Sequence, residues 1–380
     1  MKAQRYIWLP EKNDMKTVVI GHNYTPNTVA AMSYELAHHL ATAGYRVIFI
    51  SYRPRFTSPE IKKMGAGELV VTSWPTEKRP TGIRDFFWYA KLYLKYRPSV
   101  SLAHFGATNV ITMATKILSF GRARTIAYYH TIYAAIDHKT AKNKLPPRLL
   151  RWRKRLFYAL FCDKVVCPSV FGKEDLRKVF GFKKSVVVPN PMPDRYERVD
   201  SHVGNKLVVS FLGRLDYMKG IKELVDGYQA HFTEFPESPV AIRFAGSGSL
   251  KSWVEEVCAS SRGRMTFHGN LPYEQVDEFI RESDFMIIPS LFDNLPTVGI
   301  EAFMNGVPVL LSENTGLTSY IVDGENGFVF EPVATEIEGL LKSLAKKAEG
   351  GESMREKARE TYKAHFTISA YCQAMQAIIS

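Results

Sequence analysis

The chain has 380 residues, of which 46% are hydrophobic, and a formal net charge of +12, which gives apolar material for two domains of ordinary size. Glycine and proline are too sparse for a disordered chain, and the four cysteines (Cys162, Cys167, Cys258, Cys372) are too few for a disulfide framework and match no zinc spacing. No apolar run reaches the ~18 residues of a membrane span, and the N-terminus lacks the apolar stretch of a signal peptide, so a reducing, cytoplasmic setting is expected.

In chain order, the first 14 residues are expected to be an extension outside the fold, since a second Met-Lys, at Met15, directly precedes an apolar strand; they lie outside the residues described below. KTVVIGHNY (16–24) then reads as a strand running into a polar turn. Met32, Leu36 and Leu40 set a helix that Gly44 ends, and YRVIFIS (45–51) is the next strand. Strand, helix and strand in this order form a βαβ unit, which implies a parallel sheet. Further strands are expected near 101–106, 125–130, 163–169 and 185–190. The proline-rich, polar stretch 189–206 is the linker. A second alternating series follows at 207–213, 240–246, 265–269, 284–290, 307–312 and 328–332, and 355–380 has a helical pattern. The reading is α/β, with two doubly wound domains in tandem: 1–195, 206–355, and a C-terminal helical segment 356–380 crossing back to the first domain. In such sheets ligands bind beyond the carboxyl ends of the strands, and here also in the cleft between domains.

FLGRLDYMKG (211–220) puts Arg214 and Lys219 at the carboxyl end of a strand, beside a helix N-terminus. A guanidinium fork, an ammonium and free helix N–H groups together suit a diphosphate. An ordinary surface turn with two solvated cations is an equal alternative from this segment alone. In IIPSLFDNLPTVGIEAFMNGVPVL (287–310), Asp293 and Glu301 stand with seven residues between them. Asp293 falls in the loop after a strand, Pro296 suits the first turn of a helix, and Glu301 lies about a turn inside it. Two carboxylates flanking amide donors match a sugar nucleotide, which has hydroxyls at both ends and phosphates between. Capping by Asp293 and a helix-dipole effect of Glu301 explain each acid singly, but not the arrival of Arg214 and Lys219 at the same sheet edge.

These motifs carry a resemblance. GRL-x4-KG (213–220), AGSGSL (245–250), FHGNLPYEQV (267–276), the paired acids, EAFMNGVPVL (301–310) and IVDGENGFVF (321–330) resemble the donor domain of retaining glycosyltransferases of family 4, which have the GT-B fold of two Rossmann-like domains facing across a cleft. GHNYTPNT (21–28), ELAHHLATAGYRVIFIS (35–51) and DKVVCPSVFGKEDLRK (163–178) match the first domain more loosely. The resemblance implies that Arg214 and Lys219 hold the donor diphosphate, that Glu301 binds the ribose, and that Asp293, where the family usually has Glu, meets hexose hydroxyls. It implies a histidine near the donor sugar at His130, for which a buried, hydrogen-bonded histidine is the alternative. Gly213, Gly269, Asn294, Leu295, Pro296, Thr297 and Val298 complete the donor surroundings. Catalysis is expected at His130 and Asp293, with no cofactor and no metal. Two departures stand out. The first loop reads TPNTVAAMS without the family's glycine pair, so Asn27 and Thr28 are expected to donate from side chains, and PNPMP lacks the usual glycine after Asn190.

Charge is uneven, +21 over residues 1–190 and −9 over 191–380, so the first half is expected to meet a polyanion. Within 142–161, Lys144, Arg148, Arg151 and Arg155 share one helix face, and Leu149, Trp152, Leu156 and Leu160 the neighbouring one. That is the form of an in-plane membrane helix, and RDFFWYAKLYLKYR (84–97) mixes aromatics and cations likewise. For either helix alone, a core-facing helix with a solvated side explains the pattern. The reading is an enzyme that moves a hexose from a UDP- or GDP-linked donor to a lipid-linked or surface-polysaccharide acceptor, with retention, peripheral at the inner face of an anionic membrane and without nucleic acid. A sugar-nucleotide epimerase and a non-catalytic membrane or nucleic-acid binder are the alternatives.

Overall fold

The computed structural model describes residues 15–22, 31–52, 55–56, 58–76, 80–104, 109–133, 147–197, 206–346 and 351–380. These fall into two compact units. The first comprises the described residues up to Tyr128, with Phe161–Lys164 and Ile379–Ser380; the second comprises those of Tyr129–Leu160 and Val165–Ile378.

The first unit is built from β1 (Thr17–His22), α1 (Ala31–Thr42), β2 (Arg46–Ser51), β3 (Glu60–Met64), β4 (Gly67–Ser73), α2 (Ile83–Tyr96), β5 (Val100–Ala103), α3 (Asn109–Leu118) and β6 (Arg124–Tyr128). Its strands lie in the order β3-β4-β2-β1-β5-β6. Every neighbouring pair is parallel except β3 with β4. All six residues of β1 are buried, as expected for a strand covered by helices on both faces. The β3–β4 hairpin is absent from the sequence reading because EIKKM has no apolar alternation. It is an exposed edge strand, and its lysines protect the sheet edge from pairing with another chain. At the far end of the chain, Lys16 Nζ donates to the carbonyls of Ile379 and Ser380 at 2.8 and 2.9 Å.

Further along the chain run α4 (Pro147–Phe161), β7 (Lys164–Cys167), α5 (Val170–Phe180) and β8 (Ser185–Val187), with β7 and β8 paired in parallel. Then come β9 (Leu207–Leu212), α6 (Ile221–Glu234), β10 (Val240–Ala245), α7 (Lys251–Ser260), β11 (Met265–Phe267), α8 (Tyr273–Arg281) and β12 (Phe285–Ile288). The last elements are α9 (Thr297–Met304), β13 (Val309–Ser312), β14 (Gly327–Phe330), α10 (Ala334–Lys346), α11 (Gly351–His365) and α12 (Ile368–Ile379). β9 to β14 form a six-stranded parallel sheet of order β11-β10-β9-β12-β13-β14. Its two faces have separate cores, set by the alternation of side chains along a strand. Met286, Ile288, Val309 and Leu311 pack with Phe303, Tyr362 and Phe366, whereas Ile287 and Leu310 point the other way, toward Leu224, Tyr228 and Leu341.

Three local expectations change. Lys219 closes a single 3-10 turn, Tyr217–Lys219, and α6 begins only after Gly220. Pro296 precedes the first residue of α9 instead of sitting in its first turn. The C-terminal segment breaks into two helices around Phe366 and Thr367.

Candidate functional site

The carboxyl ends of β9, β10, β11 and β12 carry loops fastened to one another by main chain. After β9, Gly213 N–H donates to Ala245 O at 3.1 Å and Leu215 N–H to Ser247 O at 2.9 Å. Gly246 N–H donates to Gly269 O at 2.7 Å. Gly246 has φ +135°, and a Cβ there would sit 1.8 Å from Gly213 O, so only glycine lets these loops touch. On the other side, Leu291 N–H donates to Met218 O at 3.0 Å. Gly220 takes φ +67°, and its Cβ would lie 1.8 Å from Pro289 O. The spacing of Lys219 and Gly220 in the motif thus has a physical cause: the glycine lets the loop after β9 press on the end of β12.

That contact brings Lys219 Nζ to 2.6 Å from Asp293 Oδ2, with both side chains about a fifth exposed. Asp293 is itself fixed. Its N–H donates to Asn314 O at 3.2 Å, and its carbonyl accepts from Gly316 N–H at 3.0 Å. Arg214 behaves differently. Its side chain is 59% exposed and pairs with Asp216 of its own loop at 2.7 Å. The expected cations and the first acid therefore share one sheet edge, but only Lys219 is joined to the acid.

Asn294, next along, is buried and fully used. Its Nδ2 donates to the carbonyls of Tyr129 and His130 at 3.2 and 2.8 Å, and its Oδ1 accepts from Ser169 Oγ at 2.7 Å. His130 lies two residues past the end of β6, not on the strand, and its main chain is tied to the residue beside Asp293. Leu295 and Pro296 are buried, whereas Thr297 is exposed, and the N–H groups of Thr297 and Val298 open the first turn of α9, where no helical carbonyl lies behind them.

Glu301 sits one turn into α9 with its side chain 15% exposed. Burial pushes its carboxyl up to about 7, partly opposed by Arg195 and reinforced by Asp277. Arg195 Nη2 is 3.9 Å from Glu301 Oε1, too far for a hydrogen bond. Its guanidinium is held instead by Asp277 through Nε at 2.7 Å and Nη2 at 3.1 Å, and Asn305 Nδ2 also donates to Asp277 at 2.9 Å. Arg195 and Asp277 are thus neighbours of the site that the sequence reading passes over. Arg195 falls in the stretch read as linker; a lone arginine among prolines, just before the second strand series, was the available signal.

Asn27, Thr28 and Lys144 lie outside the described residues. Arg148, Arg151 and Arg155 are exposed on α4, and Trp152 beside them is 60% exposed. The helix packs through its other side, where Tyr158 meets the rings of Tyr129, Phe180 and Phe182. The apolar row Leu149, Trp152, Leu156 and Leu160 faces outward, so the core-facing alternative does not hold for it. Among the described residues no helix is long and apolar enough to cross a membrane, and no three His, Cys, Asp or Glu side chains gather as metal ligands would.

Residues 194–361 match the family Glycosyl transferases group 1, and residues 29–195 match Glycosyltransferase Family 4. The chain is 29% identical over 157 residues to the putative teichuronic acid biosynthesis glycosyltransferase TuaC of Bacillus subtilis, a match covering 39% of this chain and 38% of that one. Over the first curated relatives, the match spans less than half of their length. An uncharacterized glycosyltransferase of Haemophilus influenzae is 23% identical over 82% of this chain and 84% of its own. Anabaena HepE, solved in complex with UDP, superposes with a TM-score of 0.72 at 15% identity, covering 96% of this chain and 99% of that one. The likeness to HepE shows the GT-B fold, and the two family matches, which together span residues 29–361, place this chain in the family 4 type of glycosyltransferases.

Proposed function

We propose that the enzyme transfers a hexose from a UDP- or GDP-linked donor to an acceptor hydroxyl with retention of configuration, and that the acceptor is a lipid-linked or surface-polysaccharide precursor. The observation that carries this is the Lys219–Asp293 pair at the carboxyl edge of β9 and β12. Without a donor, each charge satisfies the other. A donor diphosphate competes for the Lys219 ammonium, and Asp293 is released to accept from hexose hydroxyls. Binding thereby switches the site to its working arrangement. Negative charge that builds on the leaving diphosphate meets Lys219, once Asp293 has released it, together with Arg214 and the first-turn N–H groups of α9, which the helix holds in place. Glu301 accepts from the ribose. His130 orients the hexose beside Asp293. A donor phosphate oxygen takes the acceptor's proton on the face from which the leaving group departs, so no protein base and no metal is required.

The bacterial teichuronic acid relative supports the polysaccharide acceptor, and the UDP bound by HepE supports a uridine donor. The outward apolar row of α4, flanked by Arg148, Arg151 and Arg155, supports a peripheral position on anionic lipid at the inner face of the membrane. The test is a thermal-shift series with UDP, GDP and ADP, with and without EDTA, on wild type and Glu301→Ala. One nucleotide should raise Tm, EDTA should leave the shift intact, and the variant should lose it. No shift with any nucleotide would overturn the reading, and so would epimerised donor formed without acceptor.

A further inference from the structure

The first unit holds a cavity of about 550 Å³ lined by none of the candidate donor-site residues. Its size is that of a small-molecule site. It lies between β4 and α2, and four aromatic side chains line it: Phe56, Trp74, Trp88 and Tyr96. The rings of Trp74 and Trp88 are 4.5 Å apart, and Trp74 Nε1 is already engaged by Asp85 at 2.8 Å, so Trp74 has no N–H left to offer a ligand. Phe56 is tied to the end of β4, since Ser73 Oγ accepts from the N–H groups of Arg55 and Phe56 at 2.9 and 2.8 Å. The lining is mostly apolar.

Its cations lie on one side. Lys91 and Lys95, one turn apart on α2, line the cavity and are exposed. Lys95 Nζ lies 4.8 Å from the centre of the Tyr96 ring, and like charges at this spacing repel. With 3.6 residues per turn, the two lysines form a row along α2. Trp88 and Leu92 lie on the cavity side of that row, and Ile83, Phe87 and Leu94 lie on its outer side, each more than half exposed. Two ammonium groups one turn apart, Lys95 Nζ lying over the Tyr96 ring, stand between an apolar cavity and an apolar outer stripe and match one ligand chemistry: a phosphate joined to a long apolar chain. The phosphate relieves the repulsion of the lysines, and the chain fills the aromatic space.

We propose that this cavity binds the phosphate monoester of a lipid, its phosphate on Lys91 and Lys95 and the start of its chain between Trp88, Tyr96 and Phe56. The site stands apart from the nucleotide-sugar reading. Dodecyl phosphate, kept below its micellar concentration, is titrated into the full chain while tryptophan fluorescence is followed. A saturable change with one ligand per chain is expected. The Lys91→Glu/Lys95→Glu variant should weaken it by at least about tenfold, and inorganic phosphate or dodecanol should bind about tenfold more weakly than dodecyl phosphate. Both lysines are exposed, so an unchanged Tm shows that the variant is folded. Phe87→Ser, on the outer stripe, should leave dodecyl phosphate affinity intact while reducing retention on vesicles of phosphatidylcholine with phosphatidic acid. Equal affinity of the lysine variant would overturn the proposal. So would inorganic phosphate binding as tightly as dodecyl phosphate, which would mark a bare anion site. Loss of dodecyl phosphate binding in Phe87→Ser would also overturn it, marking adsorption to the surface stripe. Nucleotide thermal shifts on the same variants report separately on the transfer site.

Discussion

At the carboxyl edge of the second unit's sheet, position is set by main chain. Loops after four strands hydrogen-bond to one another, and Gly220 and Gly246 fit where no side chain can. On α2 and α4, position is set by long side chains on exposed helix faces, with arginines, lysines and large apolar groups side by side. The first arrangement aims a few charges at a few atoms, and it tolerates little displacement because misplacement of reacting groups costs rate steeply. The second can adapt to a surface whose shape changes, since each contact adds a small amount. On the proposed function, chemistry belongs at the sheet edge and attachment at the helices.

The sharpest way to break this comparison is to remove charge at the fastened edge. Lys219→Ala should lower kcat/KM for hexosyl transfer by about 10²- to 10³-fold, the usual effect of losing one preset donor to developing negative charge. Arg214→Ala should cost much less, about tenfold, because its guanidinium is open to water and already paired with Asp216. Initial-rate kinetics with the donor identified by thermal shift would measure both. Equal losses would mean that both cations reach the diphosphate alike and that the difference in their surroundings is without consequence.

Fastening itself is tested by Gly220→Ala. The left-handed backbone costs about 1 kcal/mol for any side chain, and the collision with the Pro289 carbonyl adds to it, giving about 2–4 kcal/mol in all. Gly263→Ala is the control: φ is +78°, yet nothing lies within 4 Å of the added methyl. It should cost only the backbone part, about 1 kcal/mol. Urea denaturation would separate the two. Gly220→Ala should also weaken nucleotide binding, because the loop that carries Lys219 would be pushed away from the end of β12, whereas Gly263→Ala should not.

The legibility of the two regions in sequence follows the same division. The strands of the second sheet were readable because each is a short apolar run ending in glycine or a polar turn. The motif GRL-x4-KG was readable because charge and glycine sit at fixed spacing. The pairing of Lys219 with Asp293 was not, since it depends on Gly220 meeting Pro289 across the sheet edge. Asn294 looked like a loop residue; that it holds the carbonyls of Tyr129 and His130, over 160 positions earlier in the chain, is purely tertiary. The cavity beside α2 was invisible for a related reason. Its walls come from β4, α2 and Phe56, Ser58 and Pro59, and the hairpin that carries β4 shows no clean alternation on its β3 side.

Within the fastened edge, Glu301 gives a pH handle. Its carboxyl is raised to about 7 by burial. In the proposed role, the ionised carboxylate accepts from both ribose hydroxyls, and the protonated form has one oxygen turned donor. Nucleotide affinity should therefore fall as pH drops through 7, by up to about tenfold per unit below it. Glu301→Gln should bind more weakly at pH 8 and lose this slope, which calorimetry across pH 5.5–8.5 would show. The same shift has the opposite sense for stability. Because the folded-state value is raised above the ordinary one, the unfolded chain ionises first, so Glu301 costs the free protein stability as pH rises from about 4.5 to 7, and bound nucleotide offsets that cost.

The smallest effect belongs to the helices. Trp152→Ser removes the largest exposed apolar group of the outward row on α4. Arg148→Ala removes a cation that contributes about 1 kcal/mol near an anionic surface. Each should lower retention on phosphatidylserine vesicles only about three- to fivefold at low salt, because membrane attachment is a sum of small terms. The losses should combine roughly additively in the double variant, as expected for side chains that act separately on a surface. Raising salt should erase the Arg148 difference and keep the Trp152 difference, since screening acts on charge and not on buried apolar area. A single substitution on α4 that abolished retention outright would mean that the helix forms a fitted pocket, and the contrast between fastened edge and adaptable face would have to be redrawn.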